Sequence, residues 1–412
     1  MSTTDRQLRV GMVGYAFMGA AHSQAWRTVN RVFDLPARAR MSLICGRDAG
    51  KVADAADRLG WDAYTTDWRD LIARDDIDVV DVCTPGDSHA EIALAALAAG
   101  KHVLCEKPLA NTVSEARAMA AAAVTAQAAG VRSMCGFNYR RVPAVAMMRQ
   151  FVADGRLGVI RHVRATYLQD WIVDPQFPLV WRLQRDKAGS GALGDIGAHI
   201  IDLTQYVTGR RITGVSAVTE TFVKERPLPA GSSGLAATVD GAAVDGNGAD
   251  GHRPATGAVT VDDAAVFVAR LDGGVLATYE ASRFATGRKN ALRVEINGSL
   301  GTVAFDLERL NELEFYDATR PAGEQGFSRI LVTEGEHPYM SAWWPPGHLI
   351  GYEHSFTHQA RDFVEAVATG VDPAPSFVDG LQVQLVLDAV TRSAELGSSW
   401  TEVEPALATV AA

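Results

Sequence analysis

The chain has 412 residues, with 39 basic against 49 acidic side chains and a formal charge of -10. That length exceeds what one hydrophobic core usually organises, so two domains are expected. The acidity, with no basic cluster to offset it, argues against a nucleic-acid partner, and no apolar run approaches the ~20 residues a membrane span needs.

Residues 1–140 alternate short β-rich runs with longer amphipathic stretches, the pattern of βαβ units. Runs 8–13, 41–45, 79–83, 102–105 and 132–137 read as strands without polar alternation, as expected of strands buried on both faces. Stretches 49–59, 88–99 and 113–129 are Ala-rich and helix-prone, and Gly60, Gly100 and Gly130 follow them where a helix commonly ends. Right-handed crossovers then give an α/β fold with a doubly wound parallel sheet.

After residue 141 the texture changes. Runs 159–169, 213–221, 264–269, 275–282, 292–296, 302–305 and 312–316 read as strands joined mostly by turns. Residues 141–412 are therefore expected to form an α+β domain on a large, mostly antiparallel sheet. Residues 225–257, rich in Gly, Ala, Pro and Asp with no sustained period, read as a mobile loop insertion or, at that length, a lid. Helices over 353–368 and 377–396 close the chain.

Cys45, Cys83, Cys105 and Cys135 each lie at or near the end of an apolar run, and neither CxxC nor a Cys/His knuckle occurs. Reduced thiols and no metal site are expected. The segment from Met1 to Arg6 lacks the charged-then-apolar layout of a signal peptide, which points to the cytoplasm.

The segment Gly14-Tyr15-Ala16-Phe17-Met18-Gly19 follows the first strand and opens a helix. In that context glycines serve a tight turn, and the N–H groups of the helix start face a pyrophosphate. Ala16 replaces the usual middle Gly. After the second strand come Arg47 and Asp48; Arg47 could stack on adenine or meet a 2′-phosphate, and Asp48 could bond the ribose or cap the next helix. NAD and NADP both stay open, with a lean to NAD. Thr84, Pro85 and His89 lie in the turn after the 79–83 strand, where they could line the nicotinamide-side ribose.

Glu106-Lys107-Pro108 directly follows the 102–105 strand. Ligands of a doubly wound sheet bind beyond the carboxyl ends of its strands, so an ammonium there can exchange a proton with a substrate hydroxyl. In the second domain Asp195 and His199 have the i, i+4 spacing that shares a helix face, and the apolar spacing around them suggests a helix start. A carboxylate beside a His orients it and stabilises its charged form. Gly197 between them would permit close approach by a ring. The alternative is a helix-capping Asp and a core His.

These segments, with Asn138-Tyr139-Arg140 and Trp181-Arg182, together resemble the Gfo/Idh/MocA family of oxidoreductases over nearly the whole chain. The resemblance implies a Rossmann domain over 1–140 and a substrate-binding and oligomerisation domain over 141–412. A homodimer or homotetramer would form through the second sheet. It also implies nicotinamide chemistry on a carbohydrate or cyclitol. Carried over by position, Lys107, Asp195 and His199 match the family's acid/base residues. His199 is the first choice for proton acceptor, with Lys107 polarising the oxygen. Glu106, Lys107, Asn138, Trp181 and Arg182 would contact cofactor; Lys107, Tyr139, Arg140, Asp195, His199, Arg283 and His354 would contact substrate. Trp343, Trp344 and His348 suggest a sugar-stacking loop or a packed interface loop. No Arg pair for a phosphate or carboxylate is evident. The expected activity is dehydrogenation of a secondary hydroxyl on a pyranose, glycoside, anhydrosugar or inositol. Its rivals are a keto-sugar reductase and a nucleotide sensor without catalysis, the latter disfavoured by the intact Lys107, Asp195 and His199.

Overall fold

The computed structural model describes residues 6–229 and 255–406. Six parallel strands form the first sheet: β1 (Gln7–Val13), β2 (Arg38–Cys45), β3 (Ala63–Thr65), β4 (Val79–Val82), β5 (His102–Cys105) and β6 (Ser133–Cys135). Their order, β3-β2-β1-β4-β5-β6, reverses direction between β1 and β4, and that switch point opens the crevice where a dinucleotide sits. Helices α1 (Phe17–Val32), α2 (Ala49–Leu59), α3 (Trp68–Ala73), α4 (His89–Ala98) and α5 (Val113–Ala128) connect the strands. The sequence reading had five strands; β3 and α3 are too short to show a period.

Helix α6 (Pro143–Ala153) leads into β7 (Ile160–Leu168). Helices α7 (Arg185–Ala188) and α8 (Ala198–Thr208) then precede the remaining strands of the second sheet. These are β8 (Ile212–Glu220), β11 (Ala264–Leu271), β12 (Val275–Ser282), β13 (Ala291–Gly298), β14 (Gly301–Asp306), β15 (Glu312–Asp317), β16 (Phe327–Leu331) and β17 (Thr401–Glu402). The nine strands run β16-β15-β14-β13-β7-β12-β11-β8-β17, all antiparallel except for the parallel β7–β12 pair at the centre. Strand β11 shows the expected alternation, with Phe267 and Ala269 buried and Val266 and Val268 exposed.

The ends of the 225–257 insertion, β9 (Glu225–Pro227) and β10 (Thr256–Ala258), pair with each other as an antiparallel ribbon. Residues 230–254, on which the reading as a mobile loop or lid falls, lie outside the described residues. The two closing helices, α9 (Tyr352–Thr369) and α10 (Phe377–Glu395), tie the sheets together. Phe356, Phe363 and Val364 of α9 bury themselves with Val10 and Trp26 of the first sheet's layer. Among the described residues no helix is long and apolar enough to cross a membrane.

Candidate active site

A cleft of about 740 Å³ lies between the carboxyl ends of the first sheet's strands and the face of the second sheet. Its nucleotide-side wall begins at the turn after β1. Gly14 has φ +103°, and a Cβ on it would lie 2.7 Å from the Cys83 carbonyl oxygen; a Cβ on Gly19 would lie 2.2 Å from the Gly14 carbonyl oxygen. Both positions are therefore closed to side chains, whereas Ala16 has φ −73° and fits without strain. Ala16 gives α1 no side-chain cap, so the first-turn N–H groups are left to an outside acceptor. Ala16, Phe17 and Met18 line the cleft there, a cradle suited to a pyrophosphate. Arg47 and Asp48 stand outside this lining, at the exposed end of β2. Asp48 accepts from the Lys51 backbone N–H at 3.0 Å and caps α2. Gly46 keeps its small size for the Tyr15 ring, which would be 1.9 Å from an added Cβ.

Thr84, Pro85, His89, Glu106, Lys107 and Asn138 all line the cleft. The ring nitrogens of His89 lie 3.0 Å from the Pro108 carbonyl oxygen and 2.9 Å from that of Thr84, so His89 braces one turn against the other. Asp87 reaches across to the Lys187 ammonium at 3.0 Å. A side chain at Gly86 would meet Asn111 Oδ1 at 2.3 Å, so a carboxamide from the next loop fills that space.

On the opposite wall, residues Leu193–Gly197 form a single π-helical turn that runs into α8, in place of a plain helix start. Such turns are frequent at functional sites. Gly197 is buried against Ala281 of β12, 3.3 Å from an added Cβ, so its small size serves helix-on-sheet packing. Lys107 Nζ donates to the Asp195 backbone carbonyl at 2.5 Å and lies 3.6 Å from Asp195 Oδ1. Arg283 and Arg182 approach Asp195 Oδ2 at 3.5 and 3.9 Å. Burial pushes the Asp195 carboxyl up, but Lys107, Arg182 and Arg283 outweigh it and hold the pKa at about 2.

His199 sits beneath this group, its ring centroid 4.6 Å from that of Tyr139, and its Nδ1 has no hydrogen-bond partner among the described residues. Burial, reinforced by the Lys107 charge and opposed by Asp195, holds its pKa well below the ordinary imidazole value. A neutral imidazole facing a cleft beside an ammonium can take a proton from a hydroxyl placed between them.

Several expectations need correction. Arg140 does not line the cleft: its guanidinium is spent on a buried bidentate pair with Asp202, at 2.8 and 2.5 Å. The short 3-10 turn Asn138–Arg141 sends Asn138 and Tyr139 to the cleft and Arg140 away from it. His354 packs on Trp343 at 4.4 Å, and the cleft residue from α9 is Tyr352. Trp343 itself donates to His358 Nε2 at 2.7 Å, as a packed loop would, and the tryptophans that line the cleft are Trp171 and Trp181. An Arg pair does exist, formed by Arg182 and Arg283 from distant segments.

Residues that sequence reasoning missed include Tyr167, Gln169 and Asn290, joined to Tyr139 in a ladder of side-chain hydrogen bonds. Tyr139 and Tyr167 hydroxyls lie 2.9 Å apart; Tyr167 and Gln169 donate to Asn290 Oδ1 at 2.8 and 2.7 Å. Tyr167, Gln169 and Trp171 alternate at the carboxyl end of β7, a signal present in the sequence.

Known proteins share this architecture. Residues 8–134 match a family model described as an oxidoreductase family with an NAD-binding Rossmann fold, and residues 145–304 match the GFO/IDH/MocA C-terminal domain. A levoglucosan dehydrogenase of Pseudarthrobacter phenanthrenivorans is 42% identical over 97% of this chain and 98% of its own length. A solved levoglucosan dehydrogenase in complex with NADH and levoglucosan superposes with a TM-score of 0.88 at 40% identity, covering 97% of this chain and all of that one. An oxidoreductase domain protein from Kribbella flavida has a TM-score of 0.90 at 61% identity over 97% of this chain and 100% of its own. The chain belongs to the Gfo/Idh/MocA family of NAD-binding oxidoreductases.

Proposed function

We propose that the chain is an NAD-dependent dehydrogenase that reversibly oxidises a secondary hydroxyl of an anhydrosugar, or of a related pyranose or cyclitol, to the ketone. The observation that carries this reading is the cleft-lining His199, its Nδ1 unpartnered among the described residues, set beside the Lys107–Asp195 pair and across the cleft from the uncapped start of α1. Bound NAD supplies the hydride acceptor. His199 takes the hydroxyl proton on a ring nitrogen. Lys107 Nζ donates to the substrate oxygen as it becomes a carbonyl, and Asp195 holds that ammonium in place. Tyr139 and the Tyr167–Asn290–Gln169 ladder bound the floor on which the ring lies.

The wall around Asp195 is rich in donors and poor in acceptors. Among the described residues Arg283 is wholly buried with its Nε unpartnered, and the nearest anion to Arg182 is 3.9 Å away. Buried guanidinium N–H groups need acceptors, and the ring and bridge oxygens of an anhydrosugar accept without donating. The 42% identity to a levoglucosan dehydrogenase supports the same substrate class. Levoglucosan, inositols, hexoses and methyl glycosides, each offered with NAD while the nicotinamide absorbance is followed, test the reading. Anhydrosugars should give the highest kcat/KM; turnover of inositols alone would overturn the substrate class.

Residues 1–140 would then serve as the cofactor unit and 141–412 as the substrate and assembly unit of a cytoplasmic protein. Val218, Val266, Val268 and Leu276 lie exposed on the outer face of the second sheet and favour a homo-oligomer through it. A Val266→Asp, Val268→Asp chain should lose mass in light scattering; a monomeric parent would end that idea.

A further inference from the structure

Beneath the nucleotide-side wall lies a second charged group that the reaction above does not use. His22, in the middle of α1, stands with Nδ1 3.0 Å from both carboxylate oxygens of Asp81 and with Nε2 3.0 Å from Glu106 Oε1. All three side chains are buried, and the Phe356 ring covers the imidazole at 5.4 Å. Gly136 leaves the room for this arrangement, since a Cβ there would lie 2.6 Å from Glu106 Oε1. Two carboxylates accept from the two ring nitrogens, so the imidazole carries both protons or a neighbouring carboxyl carries one of them. Either way the trio bears one net negative charge. Burial works against a charged His22, but the Asp81 carboxylate and its hydrogen bond prevail and hold the pKa well above the usual value.

The two ends of the trio differ. Asp81 is well satisfied, taking the Trp26 indole N–H at 2.7 Å and the Cys83 thiol at 3.5 Å as well as His22. His22, Asp81 and Cys83 have ligand-like spacing, and here they are hydrogen-bonded to one another instead. Among the described residues Glu106 Oε2 accepts only the Lys107 backbone N–H, at 3.3 Å, and Glu106 is the member that lines the cleft. The negative charge is therefore least compensated where it meets the cavity. Glu106 directly follows β5, on the far side of the switch point from the β1–β2 edge that takes the adenosine half, so the nicotinamide half faces it. Lys107 beside it pairs with Asp195 Oδ1, while Arg182 and Arg283 approach the other oxygen of that carboxylate.

We propose that the Asp81–His22–Glu106 trio sets the relative affinity of the site for oxidised and reduced cofactor, favouring the cationic nicotinamide ring over the neutral dihydropyridine. His22 and Asp81 are positioning residues that act through Glu106. The proposal rests on NAD binding alone and is independent of the sugar substrate. It is tested on the whole protein without sugar, by NADH fluorescence titration and by displacement of NADH with NAD. Glu106→Gln keeps an acceptor for His22 and removes the charge; it should lower the preference for NAD relative to NADH about tenfold, ~1.4 kcal/mol. Asp81→Asn should move the ratio the other way, because His22 loses its second proton and Glu106 its compensation. Opposite signs are not a result that general damage to the fold would give. An unchanged ratio in folded Glu106→Gln, or a shift of the same sign in both variants, would overturn the proposal. If Glu106→Gln does not fold, the sign in Asp81→Asn decides.

Discussion

Asp195 and Asp202 lie seven residues apart on one continuous helical segment and each carboxylate faces arginine, yet only Asp202 is fully buried and the two are built for different purposes. Asp202 is closed: Arg140 grips it at 2.8 and 2.5 Å in a bidentate fork that leaves nothing for a ligand. Asp195 is ringed by three cations at 3.5, 3.6 and 3.9 Å, with donors left over and an open cavity in front of them. A finished ion pair locks architecture. An unfinished one waits for oxygen atoms.

The sharpest break in that comparison is Lys107→Ala, expected to cut turnover by about 10³-fold, within the range for positioned acid/base groups. NADH affinity should move little, and unchanged turnover would place Asp195's ring of cations with the architectural pair. Next is Asp202→Ala, which strands a buried guanidinium and should cost about 3 kcal/mol of unfolding free energy in urea. Activity per folded molecule should survive; a stable variant with lost turnover would reverse the two roles.

His199→Asn should lower kcat/KM about 10²-fold and change its pH profile. A base whose pKa is pushed down is already deprotonated at every pH above that lowered value. Activity in the parent should therefore hold level as the pH falls from neutral through 6.5, dropping only well below the ordinary imidazole range. An acid limb that persists in His199→Asn belongs to another group. The smallest effect expected is at Arg182→Met, about a tenfold rise in KM for an anhydrosugar with kcat kept, ~1.4 kcal/mol of binding. A fall in kcat instead would give Arg182 a share in the transition state.

Much of this molecule was legible in one dimension because its signals are local. The Gly14-to-Gly19 turn must be glycine at its ends for steric reasons that involve neighbouring backbone, so the spacing alone betrays it. Glu106-Lys107-Pro108 inherits its place from the strand it follows. Direction is what sequence hides. Asn138, Tyr139 and Arg140 are consecutive, and only the 3-10 turn decides that the third points away from the first two. Likewise Tyr352 and His354 share a helix start but not a face. The Arg182–Arg283 pair was invisible for a different reason, since 101 positions separate residues that the second sheet brings to one carboxylate.

Gly86 and Asn111 behave as one position divided between two loops. The space a side chain would occupy at the first is held by the amide of the second, 2.3 Å from where a Cβ would stand. Exchange at either site is therefore conditional on the other: Gly86→Asn displaces an existing carboxamide, whereas paired with Asn111→Gly it would restore the same group from the opposite bank. Recombining this chain with a relative should succeed when both loops travel together and falter when a crossover parts them.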